Sequence, residues 1–204
     1  MNTFMHHEYV SINSKSAKHR IILLHGWGAD ANDLLPIGHQ IAKGLNKDFD
    51  IISLRAPNSR PDNLGRQWYS LYPANWSEAE HEVNNLISTL KDIGNYEIPL
   101  RNTVLLGFSQ GAAMSIAAGS RLNLGLIVSC SGYPHPNWDK KISSPILLSH
   151  GEKDEVVPSA ASRQIYEDLK NNSNYFCKIH EFNGFHEIDI HFIDVIKSEI
   201  NNIF

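Results

Sequence analysis

Five strand-length apolar runs, spaced by helix-length amphipathic stretches, constrain this chain more than any other feature. They are Arg20 to His25, Asp50 to Leu54, Thr103 to Leu106, Gly125 to Ser129 and Pro145 to Ser149. Each is apolar almost throughout instead of alternating, the pattern of a strand covered on both faces, as in a parallel sheet flanked by helices. Between the runs, Leu34, Ile37, Ile41 and Leu45 recur at helical spacing, and so do Val83, Leu86, Leu90 and Ile93. Ser77 and Glu80 stand ahead of the second stripe with the spacing of a capping box, which predicts a helix start there. Ser109 to Gly119 reads as a helix of small residues packed close to the sheet. Ile165 with Leu169, and Ile188 with Phe192, Val195 and Ile196, mark two more helices. The alternation predicts an α/β chain with an open, mostly parallel sheet and helices on both faces, in a single domain over residues 1–204.

With 42% hydrophobic residues the chain has enough apolar mass for one sizeable core. A formal net charge of -4 and the lack of any basic run argue against nucleic acid as a partner. No apolar stretch approaches the roughly 18 residues of a membrane span, and the first residues lack the apolar centre of a secretory signal. Stable membrane insertion is not expected, and the cytoplasm is the expected location. The two cysteines, Cys130 and Cys177, have no metal-ligand spacing; a disulfide between them is one reading, and two free buried thiols in apolar strands is the favoured one.

Gly107-Phe108-Ser109-Gln110-Gly111 fits G-x-S-x-G, and it stands between an apolar strand and a helix of small residues. That context gives the pattern its force, because a nucleophile on so tight a turn needs small neighbours two residues away. A serine hydroxyl needs a general base, and the base needs an orienting acid. In this arrangement the acid and then the histidine follow the serine in the chain. Asp154 lies just past the run Pro145 to Ser149 and is the favoured acid, with Glu152 and Glu155 as rivals. Lys178 to Phe182 reads as the last strand, and His186 stands on the loop behind it; His180 and His191 fall inside a strand and a helix. His186-Glu187 with His191 is one residue too long for a H-E-x-x-H zinc helix, because five steps of roughly 100° put the two rings about 140° apart. The backbone N–H of Gln110 and that of Trp27, in His25-Gly26-Trp27-Gly28, are the candidates for an oxyanion hole. His25 itself reads as a brace for its loop. The long segment from Pro57 to Ala74 carries Trp68, Tyr69, Leu71 and Tyr72, which either line a binding groove or plug the end of the core.

At these residues the sequence resembles the carboxylesterase and acyl-protein thioesterase family of α/β-hydrolases, also called the phospholipase/carboxylesterase family. The matching stretches are Leu23 to Gly28, Trp68 to Leu71, Leu105 to Ser115, Pro145 to Pro158 and Phe182 to Ile188. They are spread over most of the chain in the family's order. The resemblance implies an α/β-hydrolase fold with a minimal cap or none, and a Ser109, Asp154 and His186 triad. It also implies oxyanion donors at Trp27 and Gln110, no cofactor or metal, and an acyl groove near Trp68 and Leu71. Ala112 replaces a usual glycine, and Ser70 stands where family members tend to carry Asp. The implied activity is hydrolysis of a small-molecule or lipid-like acyl ester. Thioester cleavage on acylated proteins and lysophospholipid cleavage are alternatives within the family. A non-catalytic acyl-binding scaffold is the alternative outside it.

Overall fold

In the computed structural model, which describes residues 2–170 and 176–204, the apolar runs become neighbouring strands of one sheet. In chain order the strands are β1 (Asn2–Phe4), β2 (His7–Ile12), β3 (His19–Leu24), β4 (Phe49–Leu54), β5 (Asn58–Ser59), β6 (Arg66–Gln67), β7 (Thr103–Phe108), β8 (Leu126–Cys130), β9 (Ile146–Gly151) and β10 (Cys177–Phe182). The helices are α1 (Leu35–Ala42), α2 (Trp76–Gly94), α3 (Gln110–Gly119), α4 (Ala160–Lys170) and α5 (Ile190–Ile203). The sheet order is β1-β2-β4-β3-β7-β8-β9-β10, and β5 with β6 forms a separate small ribbon. From β4 across to β10 every pair is parallel, while β2 pairs antiparallel with both β4 and β1.

The continuous apolar runs follow from this layering. Ile22, Leu24 and Leu105 face the helices α2, α3 and α4, whereas Ile21, Leu23, Val104 and Leu106 face α1 and α5. Ile21 to Leu24 are wholly buried, so β3 alone contributes about 8 kcal/mol of apolar burial at about 2 per side chain. Arg20, at the start of the same strand, is also buried, and its Nη1 donates to the carbonyls of Ile93, in the last turn of α2, and of Ile98, beyond its end. Carbonyls left over at a helix C-terminus are natural partners for a cation.

Two local expectations are corrected. The helix α2 begins two residues earlier than the Ser77–Glu80 spacing predicts. The side chain of Asn75 accepts from the Glu78 amide at 3.1 Å, so Asn75 caps the helix and Ser77 is already inside it. Asn caps as well as Ser does, and Glu80 instead pairs with Arg121 at 2.7 Å. The hairpin of β1 and β2 was not foreseen, because its short strands mix polar and half-exposed residues.

The strand order reverses between β3 and β7. Chain segments after β3 build outward through β4, and those after β7 build the other way. Loops leaving the carboxyl ends of these two strands therefore diverge, and a crevice opens between them, the usual place for a ligand in such sheets. Among the described residues no helix is long and apolar enough to cross a membrane.

Candidate active site

Ser109 occupies the turn that joins β7 to α3, at φ 54° and ψ -118°. L-residues seldom adopt such angles, and the surrounding packing holds them in place. Gly107 and Gly111 make the turn feasible. A Cβ on Gly107 would lie 2.2 Å from the Gly111 carbonyl oxygen, and one on Gly111 would lie 2.1 Å from that of Leu24. The Ser109 amide donates to Cys130 at 2.9 Å, which ties the turn to the end of β8.

Two further loops converge on this serine. The loop after β10 carries His186, whose Nε2 accepts from the Ser109 hydroxyl at 2.9 Å. Its Nδ1 donates to Asp154 Oδ2 at 2.7 Å, from the loop after β9. The carboxylate of Asp154 is fully enclosed, and its Oδ1 accepts from the amides of Val156 and Val157 at 2.9 and 2.8 Å. Desolvation pushes the Asp154 carboxyl up. The His186 hydrogen bond and the Val157 and Val156 amides outweigh it and hold the group below the usual Asp value. Glu152 and Glu155 are exposed. His180 pairs with Asp189 at 2.8 Å, and His191 is exposed near the start of α5.

His150 was not singled out from the sequence, yet it stands against the same carboxylate. Its ring is wholly buried and its Nε2 donates to the Val157 carbonyl at 2.8 Å while lying 3.3 Å from Asp154 Oδ2. Its Nδ1 accepts from Ser162 at 2.6 Å. Burial lowers its basicity, in keeping with a neutral ring that props the Asp154 loop. The signal was the spacing of four between His150 and Asp154 at the end of a strand.

The loop after β3 brings Trp27 beside the serine turn. Among the described residues the backbone N–H groups of Trp27 and Gln110 donate to no other residue, so both are available to a ligand. His25 braces this loop: its Nδ1 donates to the Gly26 carbonyl at 2.8 Å, and its Nε2 accepts from the Ala56 amide at 3.1 Å. The side chain of Gln110 holds a different segment. Its Oε1 accepts from the Trp68 amide at 3.0 Å, and its Nε2 donates to the Tyr69 carbonyl at 2.8 Å.

A groove of about 390 Å³ runs from Ser109 and His186, walled by Trp27, Leu71, Tyr72, Tyr133, Val157 and Pro158. Leu71 is one of these wall residues. Trp68 is not. It is wholly buried, with its ring against those of His7 and His25 and its indole N–H donating to the His25 carbonyl at 2.8 Å. Tyr69 is buried with it, and its hydroxyl meets those of Tyr133 at 2.6 Å and the His135 ring at 3.0 Å. The segment thus divides its aromatics: the first two fill the core end and Tyr72 reaches the groove. Val156 and Val157 were also missed, although two apolar residues directly behind a candidate acid were a usable sign.

A family model described as phospholipase/carboxylesterase matches residues 5–204. The chain belongs to the phospholipase/carboxylesterase family. Acyl-protein thioesterase 1 of Debaryomyces hansenii is 28% identical over 201 residues, covering 86% of each chain. Acyl-protein thioesterase 1 of Yarrowia lipolytica is 30% identical over 159 residues, 67% of this chain and 70% of the relative. Among solved structures, esterase PE8 superposes with a TM-score of 0.87 at 26% identity, over 97% of this chain and 99% of the other. The Bacillus cereus carboxylesterase, at 19% identity, agrees in fold with a TM-score of 0.82 over 97% of this chain and 95% of its own. The fold of this family member is the α/β-hydrolase fold, and the protein is a serine hydrolase of the carboxylesterase/thioesterase type.

Proposed function

We propose that this protein hydrolyses carboxylic esters through an acyl-enzyme on Ser109, with His186 as general base and acid and Asp154 as its orienting carboxylate. The observation that carries the reading is the unbroken hydrogen-bonded series from Ser109 to His186 to Asp154, at 2.9 and 2.7 Å, at the head of an apolar groove. Ser109 Oγ attacks the carbonyl carbon as its proton passes to His186 Nε2. The oxyanion that forms accepts from the Trp27 and Gln110 amides. Collapse breaks the bond to the leaving oxygen or sulfur, which takes the proton from His186. Water then repeats the attack on the acyl-serine, gives a proton to His186, and releases the acid with Ser109 restored. Asp154 keeps Nδ1 protonated throughout, so Nε2 is free to accept.

The acyl chain occupies the groove beside Leu71, Tyr72 and Val157. Thioesters remain within the same reading, since the relatives are named acyl-protein thioesterase 1. A pure acyl-binding scaffold has no use for a serine held at strained angles against an imidazole. The chain is read as one domain without a separate cap, and Gln67 of the β5–β6 ribbon accepts from the Trp27 indole at 3.0 Å. The two free thiols, Cys130 and Cys177, accord with a cytoplasmic location.

The test joins labelling to kinetics. A fluorophosphonate should modify Ser109 alone, and Ser109→Ala should lose several orders of magnitude in kcat. Across esters of two to eight acyl carbons, kcat/KM should rise by up to about fourfold per methylene. Leu71→Ala should blunt that rise, by roughly tenfold at eight carbons. Activity retained without the serine hydroxyl would refute the mechanism, and a flat chain-length series would refute the groove.

A further inference from the structure

His186 borders two clefts. Besides the groove already described, a second one of about 420 Å³ lies against its ring, walled by Gly26, Ala29, Leu34, Ile37, Phe108 and Ile188. Gly26, in the wall of this cleft, packs beside the turn that carries the nucleophile. A Cβ there would stand 3.4 Å from the Ser109 Cβ and 3.3 Å from the Phe108 ring, so this wall of the cleft lies within contact range of the serine turn. Acyl transfer needs such an arrangement. The acyl half of the substrate stays on the serine, while the other half must take a proton from the same imidazole and depart.

The second cleft has a definite charge. Its ionisable side chains are His25, Asp33, His186 and Glu187, and among the described residues no Lys or Arg lines it. Burial keeps His25 neutral, and both of its ring nitrogens are engaged. Asp33 and Glu187 are exposed carboxylates from two separate loops. Each is steadied by a backbone amide: Asp30 donates to Asp33 Oδ2 at 3.0 Å, and Phe185 donates to Glu187 Oε1 at 3.2 Å. From the cleft's place against His186 and these two carboxylates over apolar walls, we infer that it is the leaving-group site and favours alcohols or thiols that carry a positive charge. This inference rests on the acyl-enzyme reading proposed above.

The test uses two butyrate esters of the same shape, butyrylcholine and 3,3-dimethylbutyl butyrate, which differ by one positive charge in the leaving group. Both pass through one acyl-enzyme, so selection at this cleft appears in kcat/KM for acylation. Each value is divided by that ester's rate of hydroxide hydrolysis to remove intrinsic reactivity. At low ionic strength the choline ester should be favoured roughly threefold to tenfold, the scale of two exposed charge contacts. The preference should shrink towards one in about 0.5 M salt. It should shrink likewise in Asp33→Asn/Glu187→Gln, which keeps both hydrogen-bond acceptors. Glu97→Gln, beyond the end of α2, should preserve it. Turnover of both esters with no preference, or a preference that survives the double substitution, overturns the leaving-group assignment alone. Failure of Ser109 to be labelled in the same samples, with neither ester turned over, removes the acyl-enzyme reading and this inference with it.

Discussion

Replacing Ser109 by glycine and by alanine separates the strain of its turn from its chemistry. Both variants lack the hydroxyl and its bond to His186, so both should be inactive to the same degree. They differ in how well they tolerate φ 54° and ψ -118°. These are the angles of the first central residue of a type II′ turn, where glycine predominates. The strain on an L-residue therefore falls towards the upper end of the 1–3 kcal/mol range, about 3 kcal/mol. Against this, glycine leaves the unfolded chain more freedom, about 0.7 kcal/mol. The methyl of alanine, in a site that is 8% exposed, contributes about 0.8 kcal/mol of burial. The balance favours glycine by about 1.5 kcal/mol, the reverse of the usual order. In a domain of this size that corresponds to a melting temperature about 3–6 °C higher for Ser109→Gly than for Ser109→Ala. Differential scanning calorimetry on the two variants reads this directly. An alanine variant that melts at or above the glycine variant would show that the turn costs an L-residue no more than about 1.5 kcal/mol, and would refute the larger strain.

Asp154→Asn should lower kcat by about 10⁴, since an amide no longer fixes the imidazole tautomer, while Glu155→Gln changes little; steady-state kinetics showing the reverse would move the acid to Glu155. Stability should fall on mild acidification. Burial lowers His7 and His135 from 6.5 to about 4, so between those values the unfolded chain binds more protons than the folded one. Their contribution is complete above about pH 6.5 and is lost as pH drops towards 4, by at most about 3 kcal/mol each. Urea unfolding at pH 7, 5.5 and 4.5 measures the slope. His135→Asn should flatten it, and an unchanged slope would refute the assignment.

What the sequence discloses depends on how local the governing physics is. Strands β3, β4, β7, β8 and β9 were legible because burial on both faces makes every side chain apolar. The strand β2 was not, because its residues answer to partners far along the chain: His7 bonds Thr89, and the backbone of Tyr9 to Ile12 pairs with β4. The serine turn was legible because its glycines are demanded within two residues of Ser109. Asp154 and His186 followed from their positions behind strands, and the structure brings all three together. Trp68 was misplaced for the opposite reason. What turns it inward comes from far along the chain: the indole bond to the His25 carbonyl, the backbone bond to Gln110 and the rings of His7 and His25. The second cleft rests on contacts between segments far apart in the chain, which no spacing rule collects.

The segment carrying Trp68 is fastened at two points, and that bears on how the protein can be engineered. Gln110 clasps the backbone of Trp68 and Tyr69, while Arg66 exchanges backbone hydrogen bonds with Gly28 and Ala29. Gly65 sits so close to Gly28 that a Cβ on it would lie 1.9 Å from the Gly28 oxygen. A peptide tag or reporter spliced between residues 65 and 70 would therefore pull on the Trp27 loop and the start of α3 at once. At the exposed tip Asp62 pairs with Arg60, whose guanidinium lies over the Trp27 ring, whereas the side chains of Asn63 and Leu64 are held by no such clasp. A fluorescent label grafted there would ride on the rim of the groove without disturbing its walls, which makes that tip the natural attachment point for reporting substrate entry.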